Sequence, residues 1–371
     1  MKLQCHRPSL LEAFQIVDGV VPARTPRDIL KNVKLQASDS SAVLIGTDSE
    51  VGIRYEIPGV EIASSGETLL PTKRVLAILR ELRDEAVALH LDGEAVVVRG
   101  EHSDFRLSVE DPAEFPTVAA FDEKSYLAIS GAAFREAIRR TIFATDPETT
   151  RYALGGVLLD LESKDALSLV ATDSRRLALI RIGCERRNLE TPENPKPVVP
   201  AKAMQLIERS MSDEDEEVLL AVHANDVLVK SGNSTIYSRL VEGRFPRYGD
   251  VIPKQLNMTI DLVSGELHSV VRQAQIVTNE ESRGVDFTFA KGLLTLNSRA
   301  ADVGQAKVEL PISYDGQELT IIFDPKYVAD FLRVLDPETP IALRLIDDES
   351  AALLQCGENY TYVIMPLSKE R

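Results

Sequence analysis

Apolar and polar residues alternate in VLVKSG (227–232), SRLVEG (238–243), LTLNS (294–298) and YTYVIMPL (360–367), the two-residue period of strands with one buried face. The period lengthens in six other segments. SLLEAFQIVDGVV (9–21), AAFREAIRRTIFAT (132–145) and LHSVVRQAQIVTN (267–279) place apolar residues at helical spacing. So do LPTKRVLAILREL from Leu70, VPAKAMQLIERSM from Val199 and FDPKYVADFLRVL from Phe323. Prolines 71, 200 and 325 mark the starts of this second set, where a missing N–H costs nothing. Strands follow one another through short turns between the helices. The pattern predicts an α+β fold with antiparallel sheet, not a doubly wound parallel one.

The elements recur in a fixed order. IGTDSEVGIRYEI (45–57) matches VATDSRRLALIRI (170–182), and Thr47 and Thr172 lie 125 positions apart. A further 125 positions reach Asn297, inside the similarly shaped LTLNSRAADVGQAKVEL (294–310). Each unit opens with a helix of the first set, carries one of the second, and closes near a proline: EFPTV at Pro116, RFPRYGDVIP at Pro246, VIMPL at Pro366. The order predicts three homologous two-helix domains, 1–121, 122–254 and 255–371. The period is too long for a solenoid.

Composition narrows the function. Apolar residues make up 44% and charged residues 27% of the 371, as in ordinary soluble proteins. Trp is absent and aromatics are 5%, so the core must be aliphatic. A net charge of −16 argues against a surface that wraps nucleic acid by charge alone. The charge is uneven, however. The six helical segments (7–19, 71–83, 131–145, 200–211, 261–279, 324–336) carry −1, +3, +2, +1, −1 and −1, hence +3 together, which leaves −19 on the remainder. This pattern predicts weakly basic helical faces inside an acidic body. The acidic run SDEDEE (212–217) reads as a solvated loop.

Candidate chemistry is sparse. Thr172-Asp173-Ser174 has no neighbouring His to serve as a base, and the same three residues recur at 47–49. A turn closed by Asp and Ser side chains explains both copies. The five histidines lack paired metal-ligand spacing, and no glycine-rich phosphate loop is present, so neither a cofactor nor an enzymatic activity is expected. Cys5, Cys184 and Cys356 are scattered and read as reduced thiols. No signal peptide or run of 18 apolar residues occurs, which predicts a cytoplasmic protein without membrane association.

ARTPRDILKNV (23–33), RYALGG (151–156), ATDSRRLAL (171–179), VEGRFPRYGDVIP (241–253), TNEESRGV (278–285) and YVIMPL (362–367), in this order, resemble the bacterial DNA polymerase III beta subunits. The resemblance spans the chain. It implies the DNA clamp fold, three tandem copies of one domain, with two chains closing a six-domain ring. It implies a non-catalytic processivity factor that encircles double-stranded DNA without reading its sequence. The implied partners are the alpha subunit of the replicative polymerase, a clamp loader, other proteins carrying clamp-binding motifs, and a second copy of the chain. By this similarity Arg24, Lys73, Arg151 and Tyr152 face DNA, and the helix charges add Arg139, Arg140 and Lys202. A peptide pocket is expected from Leu154, Thr172, Arg176, Leu177, Pro246, Val251, Val363, Ile364, Met365, Pro366 and Leu367. Ser174, Arg175 and Asp250 belong to it too, but depart from the family's common Gly, His and Arg, and Asp250 predicts tolerance of a cationic peptide flank. Phe105 and Leu107 are expected to meet Ile276 and Val277 of the other chain.

Two other classes stay open on the residues alone. One is a small-molecule enzyme with its site between repeats, against which the missing catalytic sets count. The other is a repeat scaffold that binds proteins without encircling DNA.

Overall fold

The computed structural model describes all residues except 147, 149–152, 212–216, 255 and 369–371. Six α-helices occur among the described residues: α1 (Arg7–Asp18), α2 (Thr72–Glu81), α3 (Gly131–Arg139), α4 (Ala201–Ser210), α5 (Ser264–Gln275) and α6 (Pro325–Leu332). Their spacing explains their burial. In α1, Leu10, Ala13, Phe14 and Val17 form one buried stripe, as Leu267, Val270, Val271 and Ala274 do in α5. Pro71 and Pro200 stand just before α2 and α4 rather than inside the first turn, whereas Pro325 lies within it beside the capping carboxylate of Asp324. The helix expected to run to 145 stops at Arg139. The Thr141 hydroxyl donates to the Ala137 carbonyl (2.8 Å), and a 3-10 turn, Ile142–Ala144, follows. None of the described helices is long and apolar enough to cross a membrane.

The chain divides into two compact units, and these cut across the repeats. The first comprises Met1–Arg135 and Gly183–Val241. It contains a five-stranded antiparallel sheet in the order Val60–Ser64, Lys2–His6, Ala86–Asp92, Ala95–Arg99, Asp104–Ser108. Its second sheet has nine strands: Glu185–Arg187, Tyr126–Ser130, Glu217–Val222, Asp226–Ser231, Ser234–Arg239, Val51–Glu56, Ala42–Thr47, Asn32–Ala37, Gly66–Pro71. The step from Ser234–Arg239 to Val51–Glu56 joins the middle repeat to the first, with Ile236 opposite Ile53. Helices α1 and α2 pack on each other in this unit.

The second unit comprises Glu136–Ile182 and Glu242–Arg371. Here the sheet runs Gly156–Asp160, Ala166–Thr172, Arg176–Gly183, Tyr360–Ile364, Ala352–Cys356, Pro340–Leu345, Met258–Val263. The step from Arg176–Gly183 to Tyr360–Ile364 joins the middle repeat to the third, with Ala178 opposite Tyr362. A four-stranded sheet, Gly304–Pro311, Leu293–Ala300, Val285–Ala290, Leu319–Phe323, and the α5–α6 pair complete the unit.

Candidate functional site

The Thr-Asp-Ser words are turns. In the middle repeat the Thr172 hydroxyl donates to the Arg176 carbonyl (2.6 Å) and accepts from the Ser174 N–H (3.1 Å). The Asp173 carboxylate accepts from the N–H groups of Arg175 and Arg176 (2.9 and 3.0 Å). Thr47, Asp48 and Ser49 make the same set of bonds in the first repeat. The serines carry left-handed backbone, φ 74° at Ser174 and 84° at Ser49, which glycine adopts more readily.

The middle turn delivers a buried arginine. Arg176 donates through Nε to Asp173 (2.9 Å), through Nη1 to Asp330 of α6 (2.7 Å) and through Nη2 to the Phe143 carbonyl (2.7 Å). Its guanidinium lies 4.5 Å from the Tyr327 ring centre and 5.4 Å from that of Phe143. Burial opposes its charge, but Tyr362 and the Asp330 and Asp173 carboxylates hold its pKa above the ordinary value. The arginine is thus a structural pin beneath the surface.

Above it lies a groove of about 210 Å³, lined by Thr172, Ser174, Arg175, Arg176 and Leu177 together with Pro246, Tyr248, Val251, Val363 and Met365. Val251 is 52% and Met365 47% exposed. With Ile276 (75%) and Val303 (50%) they are the large apolar side chains left exposed among the described residues. The groove can therefore take up short apolar side chains, with the backbone polar groups of the turn already satisfied. Methionine's flexible thioether suits ligands of differing shape.

The other expected pocket residues are not among those lining this groove. Leu154 and Ile364 are core residues. Pro366 and Leu367 follow the groove, and the Leu367 N–H donates to the Ile322 carbonyl (2.8 Å). Asp250 is exposed and meets the equally exposed Arg247 at 3.2 Å, a solvent-screened pair on its own loop. Sequence reasoning missed Tyr248, whose hydroxyl donates to Asp160 (2.6 Å), and Asp330, which anchors Arg176. The proline word RFPRYGDVIP contains Tyr248 and could have drawn attention to it; no repeat or spacing marks Asp330.

The expected DNA-facing residues are differently committed. Arg24 and Arg139 are exposed. Lys73 bonds Asp18 (2.8 Å), and Lys202 bonds Asp48 and the Val20 carbonyl. Arg140 is half-buried, paired with Glu136 (2.5 Å) and stacked over Tyr360. Arg151 and Tyr152 lie outside the described residues. Phe105, Leu107 and Val277 are half-buried. Among the described residues no group of three or more His, Cys, Asp or Glu side chains is arranged to hold a metal.

Comparison with known proteins gives this architecture a lineage. Family models of the DNA polymerase III beta subunit match in order: the N-terminal domain over residues 1–119, the central domain over 128–247 and the C-terminal domain over 249–368. A beta sliding clamp of Pseudomonas putida is 30% identical over 370 residues, which span 99% of this chain and 100% of that one. The solved DNA polymerase sliding clamp of Bacillus subtilis is similar over 100% of both chains, with a TM-score of 0.91 at 26% identity. A Pseudomonas aeruginosa sliding clamp solved with griselimycin bound is similar over 100% of both chains, with a TM-score of 0.91 at 28% identity. Three domain models of one family, in order along almost the whole length, place this chain in the DNA polymerase III beta subunit family.

Proposed function

We propose that the protein is a sliding clamp, a non-catalytic processivity factor. Two copies close a ring around duplex DNA and tether the replicative polymerase and other replication and repair proteins through short apolar peptides. The clamp loader and the alpha subunit of the polymerase are its first partners, and the cytoplasm is its compartment.

The observation that carries this reading is a strand-to-strand join made twice within one chain. Ser234–Arg239 pairs with Val51–Glu56, and Tyr360–Ile364 with Arg176–Gly183. Asp104–Ser108 and Gly304–Pro311 hold the corresponding places in the first and third repeats, and each is the last strand of its sheet. Joining these edges between two copies makes the same contact a third time and closes the assembly, as head-to-tail contacts do when the rotation closes. Phe105 and Leu107, with the partner's exposed Ile276 and half-buried Val277, supply the apolar filling.

For DNA contact, Arg24, Lys73, Arg139 and Lys202 are the described candidates, with Arg140 contributing less because of its Tyr360 and Glu136 contacts. Lysines already paired with Asp18 and Asp48 hold phosphates loosely, which suits sliding. The groove over Arg176 is the peptide site, and the griselimycin-bound relative supports a clamp that takes up ligands.

The test is retention on DNA. Protein placed by a clamp loader on nicked circular DNA is expected to stay through a high-salt wash and to leave once the circle is cut. Equal retention on both forms, or none on either, would instead favour a protein-binding scaffold.

A further inference from the structure

This inference rests on the peptide-groove reading above and concerns the charge of the peptide. Most polar groups lining the groove are already engaged. The Thr172 hydroxyl is bonded within its own turn, and the Tyr248 hydroxyl donates to Asp160. Arg176 divides its donors among Asp173, Asp330 and the Phe143 carbonyl. Arg175 is different. It is exposed, lines the groove, and makes one long side-chain bond, 3.5 Å from Nη1 to the Tyr327 hydroxyl. The carboxylates that act on it face other groups. Asp173 accepts from the turn N–H groups and from Arg176, and Asp324 caps α6 through the Lys326 N–H (3.0 Å).

A second hollow, of about 240 Å³, meets the groove at Pro246 and is otherwise lined by Arg244, Phe245 and Arg247. Arg244 and Arg247 are exposed and flank the half-buried Phe245-Pro246. Arg247 and Asp250, 3.2 Å apart, sum to zero charge. Among the described residues neither Arg175 nor Arg244 has a carboxylate at ion-pair distance. Two free cations therefore mark the groove and its extension, on a chain whose net charge is −16. The chain as a whole repels an acidic ligand, whereas the local field here attracts one.

We propose that the groove takes an acidic peptide. Its apolar side chains sit against Leu177, Val363 and Met365, and it carries a carboxylate on each flank, one docked on Arg175 and the other on Arg244. A guanidinium meets a carboxylate through two parallel N–H···O bonds, which an ammonium cannot do. Both arginines are solvent-exposed, so each contact adds little affinity by itself. The apolar anchors hold the peptide, and the arginines sort ligands by charge. A nucleic-acid strand would satisfy the arginines but leave the apolar lining empty.

The test is fluorescence anisotropy of the full chain with three labelled peptides that share one apolar core and carry Asp, Asn or Lys on both flanks. At low salt the Asp-flanked peptide is expected to bind about fivefold tighter than the Asn-flanked one, and the Lys-flanked peptide more weakly than either. The Asp-to-Asn ratio should shrink as salt is added. Arg175→Gln and Arg244→Gln should each cut that ratio about twofold, and Arg175→Lys should retain part of it. Equal affinity for Asp and Asn flanks, a preference for Lys flanks, or displacement of the Asp-flanked peptide by a single-stranded oligonucleotide as readily as by unlabelled peptide would overturn the acidic-ligand assignment. Failure of all three peptides to bind, or binding untouched by Met365→Ala, would instead overturn the groove reading on which it rests.

Discussion

The two internal joins share a turn and a register, and among the described residues a groove is seen at the second. At the first, the residue five places beyond Thr47 is Gly52, and a Cβ there would meet both Val118 methyl groups at 2.8 Å. Val118 is 4% exposed and packs with Ile45, Leu69 and Phe115. The proline segment of the first repeat thus fills its own join. At the second, the equivalent residue is Leu177, and the corresponding segment stands back as Pro246, Tyr248 and Val251 on the groove wall. The rim differs as well. Arg239 meets Glu50 at 3.6 Å beside the closed join, whereas Met365 stands at the matching place beside the open one. A repeated scaffold can therefore offer one binding site by plugging the other copy with its own linker.

The largest effect is expected beneath the open groove. Arg176→Ala leaves the Asp173 and Asp330 carboxylates without their buried partner and should destabilise the protein by about 3–5 kcal/mol in urea unfolding. A loss below about 1 kcal/mol would mean that the pin does not hold the second join. Next, Gly52→Leu forces the open join's side chain into the closed one and should cost about 1–3 kcal/mol. Adding Val118→Ala should recover much of that loss, whereas simple additivity of the two changes would break the plug argument.

A smaller effect belongs to the groove wall. Val251→Ala and Met365→Ala, both well exposed, should leave the melting temperature almost unchanged while weakening an apolar clamp-binding peptide about tenfold each in fluorescence anisotropy. Equal binding by both variants would move the peptide site elsewhere.

The smallest difference is in pH response. His223 bonds Asp226 (2.6 Å) and meets Glu123 (3.3 Å) in the linker beyond the Val118 plug. Burial opposes its charge, but the two carboxylates hold its pKa above the ordinary value. A raised folded-state pKa gives stability that is present below the unfolded value of about 6.5 and lost as pH rises through the folded value. His223→Gln should therefore lower the melting temperature at mildly acidic pH, with the difference from wild type shrinking as pH rises. The linker of the open join is held instead by Tyr248, whose hydroxyl pKa is pushed up by burial and Asp160, and it should show no such change. A difference that grows with pH would reject the His223 account.

Much of this was legible in the sequence because it repeats or is periodic. The six helices, the three copies and the turns at Thr47 and Thr172 follow from spacing alone. The resemblance supplied nine of the groove residues, with Tyr248 missed. What escaped depends on side chains brought together from far apart in the chain. Arg176 and Asp330 are 154 residues apart, Lys73 and Asp18 are 55 apart, and no spacing rule anticipates either pair. The plug at Gly52 escaped for a related reason, since it needs knowledge of where Val118 returns.

The sheet that passes from the middle repeat into the first has a consequence during synthesis. Val51–Glu56 leaves the ribosome about 180 residues before its neighbour Ser234–Arg239. At roughly 5–20 residues per second, that strand waits some ten to forty seconds with one edge unpaired. The nascent chain must be shielded over this interval, because an open edge is a template for wrong pairing. Once Val241 emerges, the first unit has all its strands and can close before the second is complete.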